Sequence, residues 1–264
     1  MPTFRSLFAR RPARPVPALP AGQRVYAIGD VHGCARLFDA LVDAIEADDE
    51  MRAGAETTIV LLGDLIDRGP DSAGVVARAR ALQQRRPVRL LMGNHEEMLL
   101  DALEDEAILR EFLRYGGRET LLSYGVDPAA YHAADLAEVG ALLRAHVPQA
   151  DFDFLAGGES RIALGDYLFV HAGVRPGTAL DEQRASDLRW IRGPFLAQDD
   201  GFGAVVVHGH TIFAKPEIRT GRIGIDTGAY AHGCLTALGL DGSERWLIEA
   251  QDNDGAITIA QRSI

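Results

Sequence analysis

Five short segments concentrate the residues able to do chemistry: Gly29-Asp30-Val31-His32-Gly33, Gly63-Asp64-Leu65-Ile66-Asp67-Arg68-Gly69, Gly93-Asn94-His95-Glu96, His171-Ala172-Gly173 and His208-Gly209-His210-Thr211. Carboxylate, imidazole and amide oxygen together suit manganese, iron or zinc. The glycines beside them let the backbone turn tightly next to an ion. Any one of these residues alone reads as a capping aspartate or a satisfied core histidine. Five segments offering the same chemistry do not.

The elements that must position them follow from periodicity. Val25 to Ile28 reads as a strand, and Leu37, Phe38, Leu41 and Ile45 share one helix face. A strand at 58–62, a helix at about 72–85 and a strand at 88–92 come next, an order that predicts a parallel sheet layered with helices. Each of these strands ends in one of the polar, glycine-containing turns, where open α/β sheets place ligands. Residues 95–147 read as mostly helical, and a helical insertion of about 97–158 is expected to flank the site. A hairpin across Gly165 and Asp166, then strands at 204–208, 222–226, 234–240 and 245–249, are expected to build a second sheet. Residues 1–22, rich in arginine and proline, read as a flexible tail, and 23–264 as one α/β domain.

Composition narrows the function. The 264 residues suffice for one large core, no run of 18 apolar residues occurs, and the amino terminus lacks a secretory pattern, so the expectation is a cytoplasmic protein without a membrane partner. Net charge is −11, and leaving out the four arginines of residues 1–23 takes the body to −15, which opposes nucleic-acid binding. Cys34 and Cys234 form no framework. Cys34, before a helix, is read as a small packing residue, although that position can also lower a thiol pKa. His132, His146 and His232 are read as surface or packing residues. The sequence gives no reading of oligomeric state.

Taken together and in this order, the five motifs resemble the phosphoprotein phosphatase branch of the calcineurin-like metallophosphoesterases over about residues 24–240. The resemblance implies a two-sheet β-sandwich flanked by helices, holding two divalent ions, manganese first, with iron or zinc as alternatives. It implies that Asp30 and His32 bind one ion, that Asp64 bridges both, and that Asn94, His171 and His210 bind the other. Two cations about 3.5–4 Å apart do need a shared anionic ligand. His208, two residues from His210, is left as a group behind the ligands. The resemblance makes His95 the general acid, with Asp67 orienting its ring, and pairs Arg68 with Arg192 as phosphate-gripping arginines alongside Asn94. A hydroxide bridging the ions would attack phosphorus directly, so no nucleophilic Ser or Cys is needed.

The expected activity is that of a bacterial serine/threonine protein phosphatase, acting on a phosphorylated protein or a small phosphoester. The alternative is the related symmetrical diadenosine tetraphosphate hydrolase, which often carries glutamine and asparagine at the positions of His32 and Asp67. A nuclease of the superfamily commonly has a histidine where this chain has Ile212. A non-catalytic scaffold on this fold is expected to have lost ligands, and all six positions are intact. Asp151 stands where such chains often have a histidine, which bears on how the insertion packs.

Overall fold

The structure is a computed structural model that describes residues 16–52 and 54–264. Its elements are, in chain order, β1 (Gln23–Ile28), α1 (Ala35–Met51), β2 (Glu56–Leu61), α2 (Ser72–Arg85), β3 (Val88–Leu90), α3 (Asn94–Asp101), α4 (Glu106–Phe112), α5 (Arg118–Ser123), α6 (Pro128–Ala133), α7 (Leu136–His146) and α8 (Gln149–Ala156). There follow β4 (Ile162–Leu164), β5 (Tyr167–Phe169), α9 (Ala185–Trp190), α10 (Gly193–Leu196), β6 (Val205–His208), β7 (Glu217–Ile218), β8 (Arg222–Gly224), α11 (Ala229–His232), β9 (Cys234–Asp241), β10 (Glu244–Asn253) and β11 (Ala256–Ser263).

One sheet has the order β11-β10-β9-β1-β2-β3 and the other β4-β5-β6-β8-β7. The two face each other through side chains on alternate strand positions. Val25 and Ala27 of β1, with Val60 and Leu62, meet Phe169, Val207 and Ile223 of the second sheet. Tyr26 and Ile28, pointing the other way, pack under α1 with Phe38, Leu41 and Ile45. Outside the second sheet, Leu168, Val170 and Val206 lie against Leu188 of α9 and Phe195 of α10. The layers are therefore α/β/β/α, an α/β fold with two mixed sheets, and β1, buried on both faces, is its centre.

The expected β-α-β-α-β unit is present, with β1, β2 and β3 parallel. The carboxy-terminal strands correct the expected sheet assignment. β9 pairs antiparallel with β1, and β10 and β11 extend that first sheet. The apolar strand β9 is buried on both faces and so covers the open edge of β1, an edge that the second sheet could not protect. Of the tail expected at 1–22, residues 1–15 lie outside the described residues. Residues 16–22 run along the sandwich: Leu19 is buried, and its N–H donates to the Gly242 carbonyl at 2.9 Å.

Helices α3 to α8 fill the expected insertion and close over one flank of the site. Asp151 of α8 is buried. It accepts from Arg80 of α2 at 2.5 Å and from the Tyr124 hydroxyl at 3.0 Å, an ionic tie in the place of the histidine. Among the described residues no helix is long and apolar enough to cross a membrane.

Candidate metal centre

The loops after β1, β2, β3, β5 and β6 converge at one end of the sandwich. Their backbone is held in conformations that side chains ordinarily avoid. His32, Asp64, Asp67, Arg68 and His210 all have positive φ, between 45° and 71°. Such strain persists only where surrounding bonds over-determine it. Here Glu96 supplies them: its fully buried carboxylate accepts the N–H groups of Asp64 (2.8 Å), Leu65 (2.7 Å) and Gly93 (3.1 Å), fixing the loop that carries Asp64 to the start of α3. The insertion supplies two further ties. The Arg68 N–H donates to the Gly116 carbonyl, and Gly116 at φ 113° lies so close that a Cβ there would be 2.7 Å from Arg68 Cγ. Thr120 of α5 donates to Asp67 Oδ1 at 2.6 Å.

Two groups of possible ligand atoms share Asp64. One is His32, Asp64 and His95, the other Asp64, His171 and His210, each within 4.8 Å. Asn94 Oδ1 lies 3.0 Å from His171 Nε2, and His171 Nε2 lies 3.4 Å from Asp64 Oδ1. The distal nitrogens are fixed by carbonyls: His32 Nδ1 by Ile66 and His171 Nδ1 by Leu62, both at 2.8 Å, which leaves each Nε2 facing Asp64. Asp30 is buried beside His210, whose N–H it accepts at 2.9 Å, and a Cβ on the intervening Gly209 would fall 2.0 Å from Asp30 Oδ1. His32, Asp64, His171 and His210 therefore lie together with His95, Asn94 meets them through His171, and Asp30 lies against the His210 backbone.

The electrostatics fit a cation pair. Burial raises Asp30, with Asp226 adding to the effect, and lifts Asp226 itself to about 6 and Glu96 to about 7. Burial likewise pushes His32 down to about 3 and His210 to about 2, so both rings present lone pairs. Burial opposes charge on His171 too, but the carboxylates of Asp64 and Asp30 outweigh it and draw the ring up to about 10. Asp64 is held well below the usual carboxylate range, against burial, chiefly by His171 and His95. Buried carboxylates around a set of imidazole and amide donors form a place that attracts positive charge, and the donors are those of manganese, iron or zinc.

His95 Nδ1 lies 2.6 Å from Asp67 Oδ2, and its Nε2 is buried, 3.9 Å from Asp64 Oδ2, with no hydrogen-bond partner. Burial opposes protonation of His95, but Asp64 and Asp67 reverse that and raise its pKa. Burial raises Asp67, which stays bonded to His95 and Thr120. Arg68 contacts His32 Nε2 at 2.8 Å, and Arg192 donates from Nε to His210 Nε2 at 2.9 Å, so one arginine stands at each group.

His208 does not reach the centre. Its ring packs on Phe195 and Phe213, and burial pushes its pKa down to about 4. Cys34 is half-buried, and burial raises its thiol to about 11, consistent with packing rather than reactivity. Thr120 escaped the sequence reading, and Glu96 stood in one of the quoted motifs without a role. Glu96 had a usable signal, an acid at the third position of a helix opened by glycine, whereas Thr120 had none.

A family profile described as calcineurin-like phosphoesterase matches residues 23–242. Among curated relatives, one from Janthinobacterium sp. (strain Marseille) is 33% identical over 151 residues, 57% of this chain and 44% of the relative. One from Chromohalobacter salexigens is 28% identical over 270 residues, 83% of this chain and 95% of the relative. Both are named bis(5'-nucleosyl)-tetraphosphatase, symmetrical. The chain spans about half the length of several others with that name, such as the 48% of one from Acidovorax sp. (strain JS42). A solved structure named provisionally as a diadenosine tetraphosphatase superposes with a TM-score of 0.60 at 20% identity, covering 92% of this chain and 98% of that one. A cold-active protein-tyrosine phosphatase of a psychrophilic Shewanella sp. superposes at 0.59 and 20%, covering 92% and 83%. The two structures share the fold.

These relatives overturn the expected serine/threonine protein phosphatase. The expectation rested on His32 and Asp67. The geometry shows why those positions do not report the substrate: His32 faces Asp64, and Asp67 lies fully buried behind His95. Both side chains face inward at the centre, and neither lines the adjoining cleft, where a peptide and a nucleoside would differ. What the centre and the profile match do establish together is the lineage: this chain belongs to the calcineurin-like phosphoesterase family.

Proposed function

We propose that this chain is a symmetrical dinucleoside tetraphosphate hydrolase, adding water across the bond between the second and third phosphates to give two nucleoside diphosphates. The observation that carries the reading is the shared name of its curated relatives. The placement of Arg68 and Arg192 at the two ligand groups agrees with it, because a run of phosphates crossing the centre presents oxygens to both.

In this reading Asp30, His32 and Asp64 would hold one divalent ion, and Asp64, Asn94, His171 and His210 would hold the other. Bound there, the ions supply Lewis acidity toward phosphoryl oxygens and lower the pKa of water. The chain's own residues do the rest. Arg68 and Arg192 orient the flanking phosphates bidentately, which aligns the scissile bond and offsets charge that develops in the transition state. His95, fixed through Nδ1 by Asp67, directs Nε2 toward the reacting region and gives a proton to the departing diphosphate oxygen. Thr120 keeps Asp67 in place.

Chromatography of products from diadenosine tetraphosphate, with manganese-loaded protein, tests the proposal. ADP as sole nucleotide product is expected. AMP with ATP would mark cleavage at a different bond, and unreacted substrate would mean that the phosphoanhydride is not attacked; either result overturns the reading.

A further inference from the structure

Beside the centre, on the side formed by His32 and His95, a cleft of about 750 Å³ opens between the start of α1 and α11. Arg68 links the two, since it touches His32 and also lines the cleft. Tyr230 of α11 lines it too. This ring is 40% exposed, its centroid 5.2 Å from that of His32, with the Arg68 guanidinium 4.9 Å from its centre. Arg36 is exposed on the same wall, and Asp252 and Asp254 also line the cleft.

Each feature has a counterpart in one chemical class. A half-exposed aromatic ring is a stacking surface for a planar base. The arginine beside it grips a phosphate that extends from the centre. The carboxylates of Asp252 and Asp254, which also line the cleft, can accept hydrogen bonds from ribose hydroxyls. Its volume lies within the range of small-ligand pockets. We propose that this cleft is a nucleoside subsite, seating one half of the substrate as a nucleoside diphosphate with its base on Tyr230.

The assignment rests on the tetraphosphatase reading for its substrate, but its test does not require turnover. ADP and inorganic pyrophosphate, which share a diphosphate and differ by the nucleoside, are titrated calorimetrically into manganese-loaded wild-type protein, Tyr230→Ala and Tyr230→Phe. Loss of one base–aromatic stack weakens ADP about 5- to 150-fold in Tyr230→Ala, with pyrophosphate changed by less than about twofold, whereas Tyr230→Phe keeps ADP affinity. Unchanged ADP affinity in Tyr230→Ala, an equal loss for both ligands, or a Phe variant as weak as Ala would overturn the subsite. If wild-type protein leaves the dinucleotide intact while Tyr230→Ala selectively loses ADP, the tetraphosphatase reading fails and the subsite stands.

Discussion

Replacing Glu96 with alanine isolates what holds the loop of Asp64 in its strained shape. The carboxylate accepts three backbone N–H groups, and none of the three has another side-chain acceptor in its network. Leaving a buried N–H unsatisfied costs about 1–3 kcal/mol. Water entering the space of the missing side chain recovers part of that, so the low end applies, about 3 kcal/mol for the three together. In a domain of this length each kcal/mol moves the melting temperature by about 2–4 °C, giving a fall of about 6–12 °C. Asp64 at φ 51° should then relax, taking the shared ligand with it. Thermal unfolding followed by circular dichroism, paired with metal content by elemental analysis, reads both effects. Glu96→Gln retains one acceptor oxygen and should fall between. A melting temperature for the alanine variant within about 2 °C of wild type would refute the reasoning.

Three more outcomes are expected. His95→Asn should lower turnover by about 10²-fold with metal content unchanged, the low end of general acid catalysis because a diphosphate leaves more readily than an alkoxide; wild-type kcat would remove His95 from the chemistry. Gly93→Ala places a Cβ 2.2 Å from Asp64 Oδ1 and 2.5 Å from its N–H, so metal content should drop, and full occupancy by elemental analysis would contradict the geometry. The third concerns pH. Despite burial, Tyr26, Gln261 and Arg52 hold Asp48 low, and Thr57, Arg24 and Arg86 hold Asp49 low. A depressed folded pKa gives stability that is complete above the unfolded value of about 3.9 and is lost as pH falls through the folded one. The melting temperature should therefore drop below about pH 4, less steeply in Asp49→Asn, and identical acid limbs would exclude this account.

The parts of the fold legible in the sequence are those where burial imposes a period. β1, with apolar side chains on both faces, and α1, with Leu37, Phe38, Leu41 and Ile45 on one, follow from spacing alone. Strand β11 was missed because it is a largely exposed edge strand, whose alternating apolar positions are only Ile257, packed on the core, and the exposed Ile259. Its turn was nonetheless written in the sequence: Asp254-Gly255, both at positive φ, closes a two-residue hairpin between Asn253 and Ala256. The sheet to which β9 belongs could not be read from spacing, because pairing with β1 across about 200 residues depends on which edge is open. In the site, the candidate ligand types were legible because each stands beside a glycine or, for His171, two residues from one. Supports such as Thr120 were not, since a hydroxyl that orients Asp67 looks in sequence like any helical threonine.

The centre and the substrate are therefore separate questions in this fold. In the proposed reading the side chains grouped around Asp64 serve ion binding, proton delivery or phosphate orientation, needs common to any phosphate transfer to water. Discrimination has to come from groups farther out, and the bulk charge sharpens the demand. A body of net charge −15 over residues 24–264 repels the proposed polyanionic substrate at long range, so its capture would depend on the ions together with Arg68 and Arg192. Added salt screens the bulk repulsion over about 10 Å at 0.1 M while acting less on buried contacts. For a dinucleoside tetraphosphate, kcat/KM should then hold steady or rise on moving from low to moderate ionic strength. A steep fall would show that exposed cations, rather than the centre and its adjoining cleft, hold the substrate.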